Sequence, residues 1–208
     1  MSEPILFYNS RFRQYRFRIR DNVFMKVKAK IRNAKELKAL IEQYKPIDVY
    51  QTVAWWLNPN TLGPKRIKKA GYRILNNFFL GSDYIMDFDL KDYASEEEMV
   101  DNLCRARLLL ERMGMKEHTV IKTGKGRQLL VTDFDKWVKL SIGNPMDREY
   151  AYGFKMKLLT ETMMKSGIKW DDKVSTDTRR IFRTPGTLHQ NGNTIKILET
   201  TSPKAMML

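Results

Sequence analysis

The sequence predicts a mixed α/β (α+β) fold in a single domain. Three observations carry this. Stretches with apolar side chains at every second position alternate with stretches spaced by three and four, which are the periods of strands and helices. Glycine, proline and asparagine signals separate them. The 208 residues, 42% of them hydrophobic, can bury a proper core, and no repeat or linker divides them.

The elements follow in order. "NVFMKVKAKIR" sets Val23, Met25, Val27 and Ala29 on one face and Lys26, Lys28 and Lys30 on the other, a half-buried strand whose wet face suits a phosphate backbone. Asn33 caps a helix through Tyr44, with Glu36 at the capping-box position and Leu37, Leu40, Ile41 and Tyr44 as its buried stripe. "IDVYQTVAWW" reads as a strand ended by the "NPN" and "GP" turns, its tryptophans as packing residues. In "SDYIMDFDLKD", Tyr84, Met86, Phe88 and Leu90 share one strand face, and Ile85, Asp87 and Asp89 the other. Ser95, with Glu98 three residues on, opens a helix that runs to Met113 and stops at Gly114. "HTVIKTGKGRQLLVTDFD" gives strand, glycine loop, strand, and a third helical region from Asn144 to Ser166 closes at Gly167.

Charge and composition narrow the partners. With 38 Lys+Arg against 24 Asp+Glu the net charge is +14, which favours polyanions and nucleic acid first among them. No apolar run reaches the roughly 18 residues of a membrane span, and "MSEPILFYNS" lacks the pattern of a secretory signal. The expectation is a cytoplasmic, nucleoid-associated protein without a membrane partner. The single cysteine, Cys104, rules out an internal disulfide and any Cys-rich zinc site; its apolar neighbours at helical spacing predict a core position.

Three stretches carry chemistry. Asp87 and Asp89 point the same way from one strand, an arrangement that suits Mg²⁺ or Mn²⁺ and also fits a solvent-facing sheet edge. In the "TGKG" loop, Gly124 and Gly126 admit an anion to backbone amides while Thr123, Lys125 and Arg127 offer donors; it is equally a hairpin turn. Asp171 and Asp172 then lead into "STDTRRIFRTPGTLHQNGN", where Arg179, Arg180, Arg183 and His189 crowd a proline-glycine turn. That crowding suits a phosphate-rich ligand, and a solvated hairpin is the plain alternative.

In this order the stretches resemble the catalytic small subunit of archaeal and eukaryotic DNA primases and the wider primase-polymerase superfamily. "DDKVSTDTRRIFRTPGTLHQNGN" is similar to that family's final motif, "DYIMDFD" to its metal-binding strand and "TGKGRQ" to a shortened nucleotide loop, with fainter likeness in "FRQYRF" and "PIDVYQTVAWW". The resemblance implies a catalytic core with an RNA-recognition-like sheet over 81–208 and a smaller N-terminal α/β subdomain over 1–80. It implies template-directed nucleotidyl transfer that makes primers or extends strands. Asp87, Asp89 and Asp171 (or neighbouring Asp172) would hold two Mg²⁺ or Mn²⁺ ions; Thr123, Lys125, Arg127, Gln128, Arg179, Arg180, Arg183 and His189 would contact the nucleotide. Single-stranded or primed DNA, nucleoside triphosphates and a large primase subunit or other replication protein are the implied partners. The chain departs from the family in three ways: Gln128 stands where the family has histidine, the cysteines of a zinc knuckle are missing, and the chain is short. A catalytically weakened nucleic-acid-binding accessory subunit and an end-joining repair polymerase are the alternatives.

Overall fold

A computed structural model describes residues 3–61, 78–138, 145–190 and 192–203. The elements are β1 (Tyr15–Arg20), β2 (Val23–Lys26), α1 (Ala34–Tyr44), β3 (Asp48–Thr52), β4 (Ala54–Trp56), β5 (Phe79–Ser82), β6 (Tyr84–Phe88), α2 (Glu96–Arg112), β7 (His118–Thr123), β8 (Gly126–Val131), α3 (Phe134–Val138), α4 (Pro145–Lys165), α5 (Asp172–Ser175), β9 (Ile181–Arg183) and β10 (Lys196–Thr200). The fold is mixed α/β. Among the described residues there are two four-stranded antiparallel sheets, ordered β2-β1-β3-β9 and β10-β7-β8-β6, and a ribbon β4-β5. Strand β9 comes from far along the chain to complete the sheet of β1 to β3.

Three apolar clusters assemble these layers. Tyr84, Met86 and Phe88 of β6 pack with Met99, Leu103 and Leu110 of α2 and Met156 and Leu159 of α4. Phe17 and Val49 pack with Leu37 and Ile41 of α1. Between them, Ile85, Ile121, Leu130 and Phe182 join the two sheets. Each fully buried Leu or Phe contributes about 1.5–3 kcal/mol, so the clusters set the relation between sheets on which the polar site depends.

The local signals act as read. Asn33 accepts from the Glu36 amide at 2.9 Å while Glu36 accepts from the Arg32 amide at 2.8 Å; Ser95 and Glu98 do the same for α2. Trp55 and Trp56 are buried packing residues.

Other expectations are corrected. The "NVFMKVKAKIR" strand stops at Lys26, so Lys28 and Lys30 lie outside it, and Val23 and Tyr44 are exposed. Cys104 is exposed rather than core, because the buried stripe of α2 runs Met99, Leu103, Ala106, Leu110 and leaves position 104 on the wet side. "IDVYQTVAWW" is two strands in two sheets. The chain turns at Val53, where Arg13 clips the corner through Nη1 to the carbonyls of Thr52 and Val53 at 2.8 and 2.7 Å. Alternation of side chains cannot reveal such a bend. The "GP" turn lies outside the described residues.

Candidate active site

The site begins where β6 ends. Asp87 follows Ile85 on the face that joins the sheets, and its cross-strand neighbour on β8 is Gln128. Gln128 Nε2 donates to Asp87 Oδ2 at 3.3 Å. Burial raises the Asp87 carboxyl above the ordinary range; the Gln128 bond and the charges of Arg180 and Arg183 pull it back, and Asp89 opposes them.

Asp89 lies just past the strand, where it caps a short 3₁₀ turn over Leu90–Asp92. Its Oδ2 is 2.9 Å from Lys91 Nζ, and that contact raises the exposed Lys91 ammonium.

Asp171 reaches the same place from the other end of the chain. Its backbone amide donates to the Asp87 carbonyl at 2.9 Å. Two residues back on β6, the Ile85 carbonyl accepts from Ser175 Oγ at 2.6 Å, and that oxygen in turn accepts from Trp170 Nε1 at 2.8 Å. Helix α5 is thereby stitched along β6. Asp87, Asp89, Asp171 and Asp172 line one recess of about 410 Å³ with Lys91, Asp92, Trp170 and Lys173. Asp171 is exposed at its rim, and the charge of half-buried Asp172 reaches the buried Tyr84 hydroxyl.

The donor set consists of oxygens alone, which fits a hard divalent cation and not a thiolate-bound one. Among the described residues no three carboxylate, imidazole or thiolate groups converge on one point in this arrangement. Lys91 sits against Asp89 where a cation's charge would act.

No protein-family model and no curated protein matches the chain. Among solved structures it is similar to the polymerase domain of Mycobacterium tuberculosis ligase D in complex with DNA, with a TM-score of 0.44 and 14% identity. The match covers 88% of this chain and 56% of that one. At this level the likeness carries no chemistry across, and the site rests on its own geometry.

The remaining sequence-derived residues divide into two groups. Arg183 and His189 come together around a carboxylate the sequence reading missed, the buried Asp48. Arg18 Nε lies 3.0 Å from Asp48 Oδ2 and Arg183 Nε 4.0 Å from Oδ1, which also accepts from the Gln190 amide at 3.0 Å. The Arg183 guanidinium lies over the Tyr50 ring at 5.5 Å. Burial lowers the His189 imidazole, and Arg183 and Arg18 lower it further against the pull of Asp48. His189 is thus a neutral donor near pH 7, not a source of charge.

The second group points elsewhere. Arg127 pairs with Phe88 across the strands and meets Glu96 at 2.9 Å, on the α2 side of the sheet, away from Asp87. Thr123 is buried beside a two-residue turn in which Gly124 takes a φ of 72°, and Lys125 is exposed at its tip. Arg179 is exposed, 3.7 Å from Glu149. Gly186 explains the proline-glycine turn: at φ 82° a Cβ there would meet the Glu3 carbonyl oxygen at 2.0 Å. The turn is packed down, with Thr184 to Thr187 buried, so it is not a solvated hairpin. Arg18 was detectable, since "YRFRIR" alternates arginines with apolar residues, but its meeting with Asp48 depends on strand register.

Proposed function

We propose that the chain is a divalent-metal-dependent nucleotidyltransferase of the primase-polymerase type, acting on nucleoside triphosphates along a nucleic-acid template. The observation that carries this reading is the 2.9 Å bond from the Asp171 amide to the Asp87 carbonyl. It brings Asp171 to the recess of Asp87 and Asp89, while the charges of Arg180, just before β9, and Arg183, on it, act on Asp87.

In the reaction a strand's 3′-hydroxyl oxygen bonds the nucleotide's α-phosphorus, the bond to pyrophosphate breaks, and the hydroxyl proton is lost. Asp87, Asp89 and Asp171 would hold Mg²⁺ or Mn²⁺, which supplies polarisation of the attacking hydroxyl and charge neutralisation of the pyrophosphate. Arg183 and Arg180 offset the triphosphate charge, and His189 donates a neutral hydrogen bond. Gln128 orients Asp87 through its amide. Positioning supplies most of the rate in such a transfer.

Template-dependent incorporation of ribo- and deoxyribonucleotides with Mg²⁺ and with Mn²⁺ tests this. Parent protein should extend a primed strand, and Asp87→Asn and Asp89→Asn should not, with circular dichroism unchanged. The accessory-subunit reading is favoured by one observation, the Lys91 ammonium held against Asp89. Nucleic-acid binding without incorporation under either metal would establish it instead.

A further inference from the structure

The sheet β2-β1-β3-β9 has two unlike faces. One is sealed: Phe17, Val49 and Phe182 belong to the apolar clusters. The other is basic and aromatic. Strand register defines its rows, because directly paired residues share a face. Lys26 pairs with Arg16, Arg16 with Tyr50 and Tyr50 with Arg183; beside that row, Phe24 pairs with Arg18 and Arg18 with Asp48.

Two features of this face are left open to a ligand, although Arg16 Nε also donates to Gln14 Oε1 at 2.9 Å. Arg16 stands directly opposite Lys26, and like charges so placed repel. Among the described residues neither forms an ion pair, and burial pushes the Arg16 guanidinium down, against the pull of Asp177. An anion between them would relieve that repulsion. Phe24 is the second feature. It is 45% exposed, yet it packs edge-on against Tyr50 at 5.6 Å, and Tyr50 lies under the Arg183 guanidinium. An exposed ring among cations is poor for solubility and good for stacking, and the Gln190 segment covers this face only around Asp48, where its amide donates to the carboxylate.

We infer that this face, from Arg183 across Tyr50 and Arg16 to Phe24 and Lys26, is a platform for single-stranded nucleic acid. The inference rests on the function proposed above and assigns the template its surface. Unpaired bases offer flat faces to Phe24, which Tyr50 supports edge-on, while their phosphates meet Arg16 and Lys26; Arg18 is held by Asp48 and keeps that end of the face in place. A duplex hides its base faces, and an acidic peptide would leave the rings unused. The row runs from the open edge at β2 to Arg183, one of the two arginines acting on Asp87.

The test is fluorescence anisotropy with labelled oligo-dT, oligo-rU and a matched DNA duplex, without nucleotide or metal, on parent, Phe24→Ala, Phe24→Leu and Lys26→Gln proteins of matched melting temperature. Phe24→Ala should weaken single-strand binding roughly five- to hundredfold, and Phe24→Leu nearly as much, since the ring is what matters. Lys26→Gln should lower the salt slope by about 0.7, the value for one phosphate contact on a single strand. The dT and rU arms tell a DNA from an RNA strand. Parent-like binding by Phe24→Ala and Lys26→Gln, or a duplex bound more tightly than either single strand, overturns the platform. Neither measurement needs turnover, so failed incorporation would sink the enzyme reading while leaving this result intact.

Discussion

Removing the Arg13 guanidinium should destabilise the molecule without touching the chemistry. Arg13 and Asp83 form an ion pair of 2.6 Å with both side chains 1% exposed. The same guanidinium donates to the carbonyls of Thr52, Val53 and Tyr8 and lies over the Trp55 ring at 5.1 Å. In Arg13→Ala the Asp83 charge stays buried without its cation, a change that costs about 3–5 kcal/mol. For a chain of 208 residues each kcal/mol lowers the melting temperature by about 2–4 °C. The expected fall is therefore roughly 6–20 °C by thermal circular dichroism. Arg13→Lys should fall in the same direction, because an ammonium cannot reproduce the fork that spans two carbonyls and a carboxylate. The double variant Arg13→Met, Asp83→Leu removes both charges and should recover at least half of the loss. Nucleotide affinity measured well below the melting temperature should be unchanged, since the group has no path to solvent. A loss of Arg13→Ala under about 1 kcal/mol, within the range of an ordinary surface change, would refute the reasoning, as would a double variant no more stable than the single one.

Three further outcomes follow from the site and its surroundings. Gln128→Ala takes from Asp87 the hydrogen bond that favours its ionised form, so the acid limb of the incorporation rate should move to higher pH, while Gln128→His should preserve or raise the rate. His118 is buried with its imidazole pushed down by that burial; the unfolded chain takes up a proton near pH 6.5 and the folded chain does not, so stability should fall as pH drops below about 6.5, and urea titrations of His118→Phe should lack that fall. Oligonucleotide affinity should drop steeply with salt, as counterion release requires for a chain of net charge +14; a flat response measured by anisotropy would remove nucleic acid as a partner.

What was legible in the sequence was mostly local. Asn33 with Glu36 and Ser95 with Glu98 are read within one helical turn, and the structure keeps both caps. The face assignment of Tyr84, Met86 and Phe88 needed only the period of a strand. The recess was legible in part, because Asp87 and Asp171 could be brought together only through the order of three motifs. Register is a different matter. Asp48, Arg18 and Arg183 meet because β3 lies between β1 and β9, and no spacing along the chain encodes that neighbourhood. The same blindness sent Arg127 toward the nucleotide: its place in the glycine loop suggested a donor, whereas pairing with Phe88 turns it to Glu96. The bend at Val53 was invisible because its cause is Arg13, forty residues earlier.

The site divides its charges between the two sheets, and that division decides what holds it together. The carboxylates Asp87, Asp89 and Asp171 belong to β6 and the segments next to it; Arg183 and Asp48 belong to the sheet of β1 to β3 and β9, and His189 to the segment that follows β9. Direct attraction between the groups is a weak way to fix such an arrangement, since charges near water gain little and pay desolvation when they approach. The separation is instead set by apolar contacts, Ile85 and Leu130 on one side and Phe182 on the other, with Phe7 edge-on to Phe182 at 5.5 Å. Phe182 is the residue before Arg183, and Ile85 precedes Asp87 by two, so each functional group is one or two residues from a buried anchor. Close packing changes little as ligands come and go. The carboxylates and the arginines are thereby held apart by packing, with Lys91 against Asp89 on one side and Asp48 near Arg183 on the other.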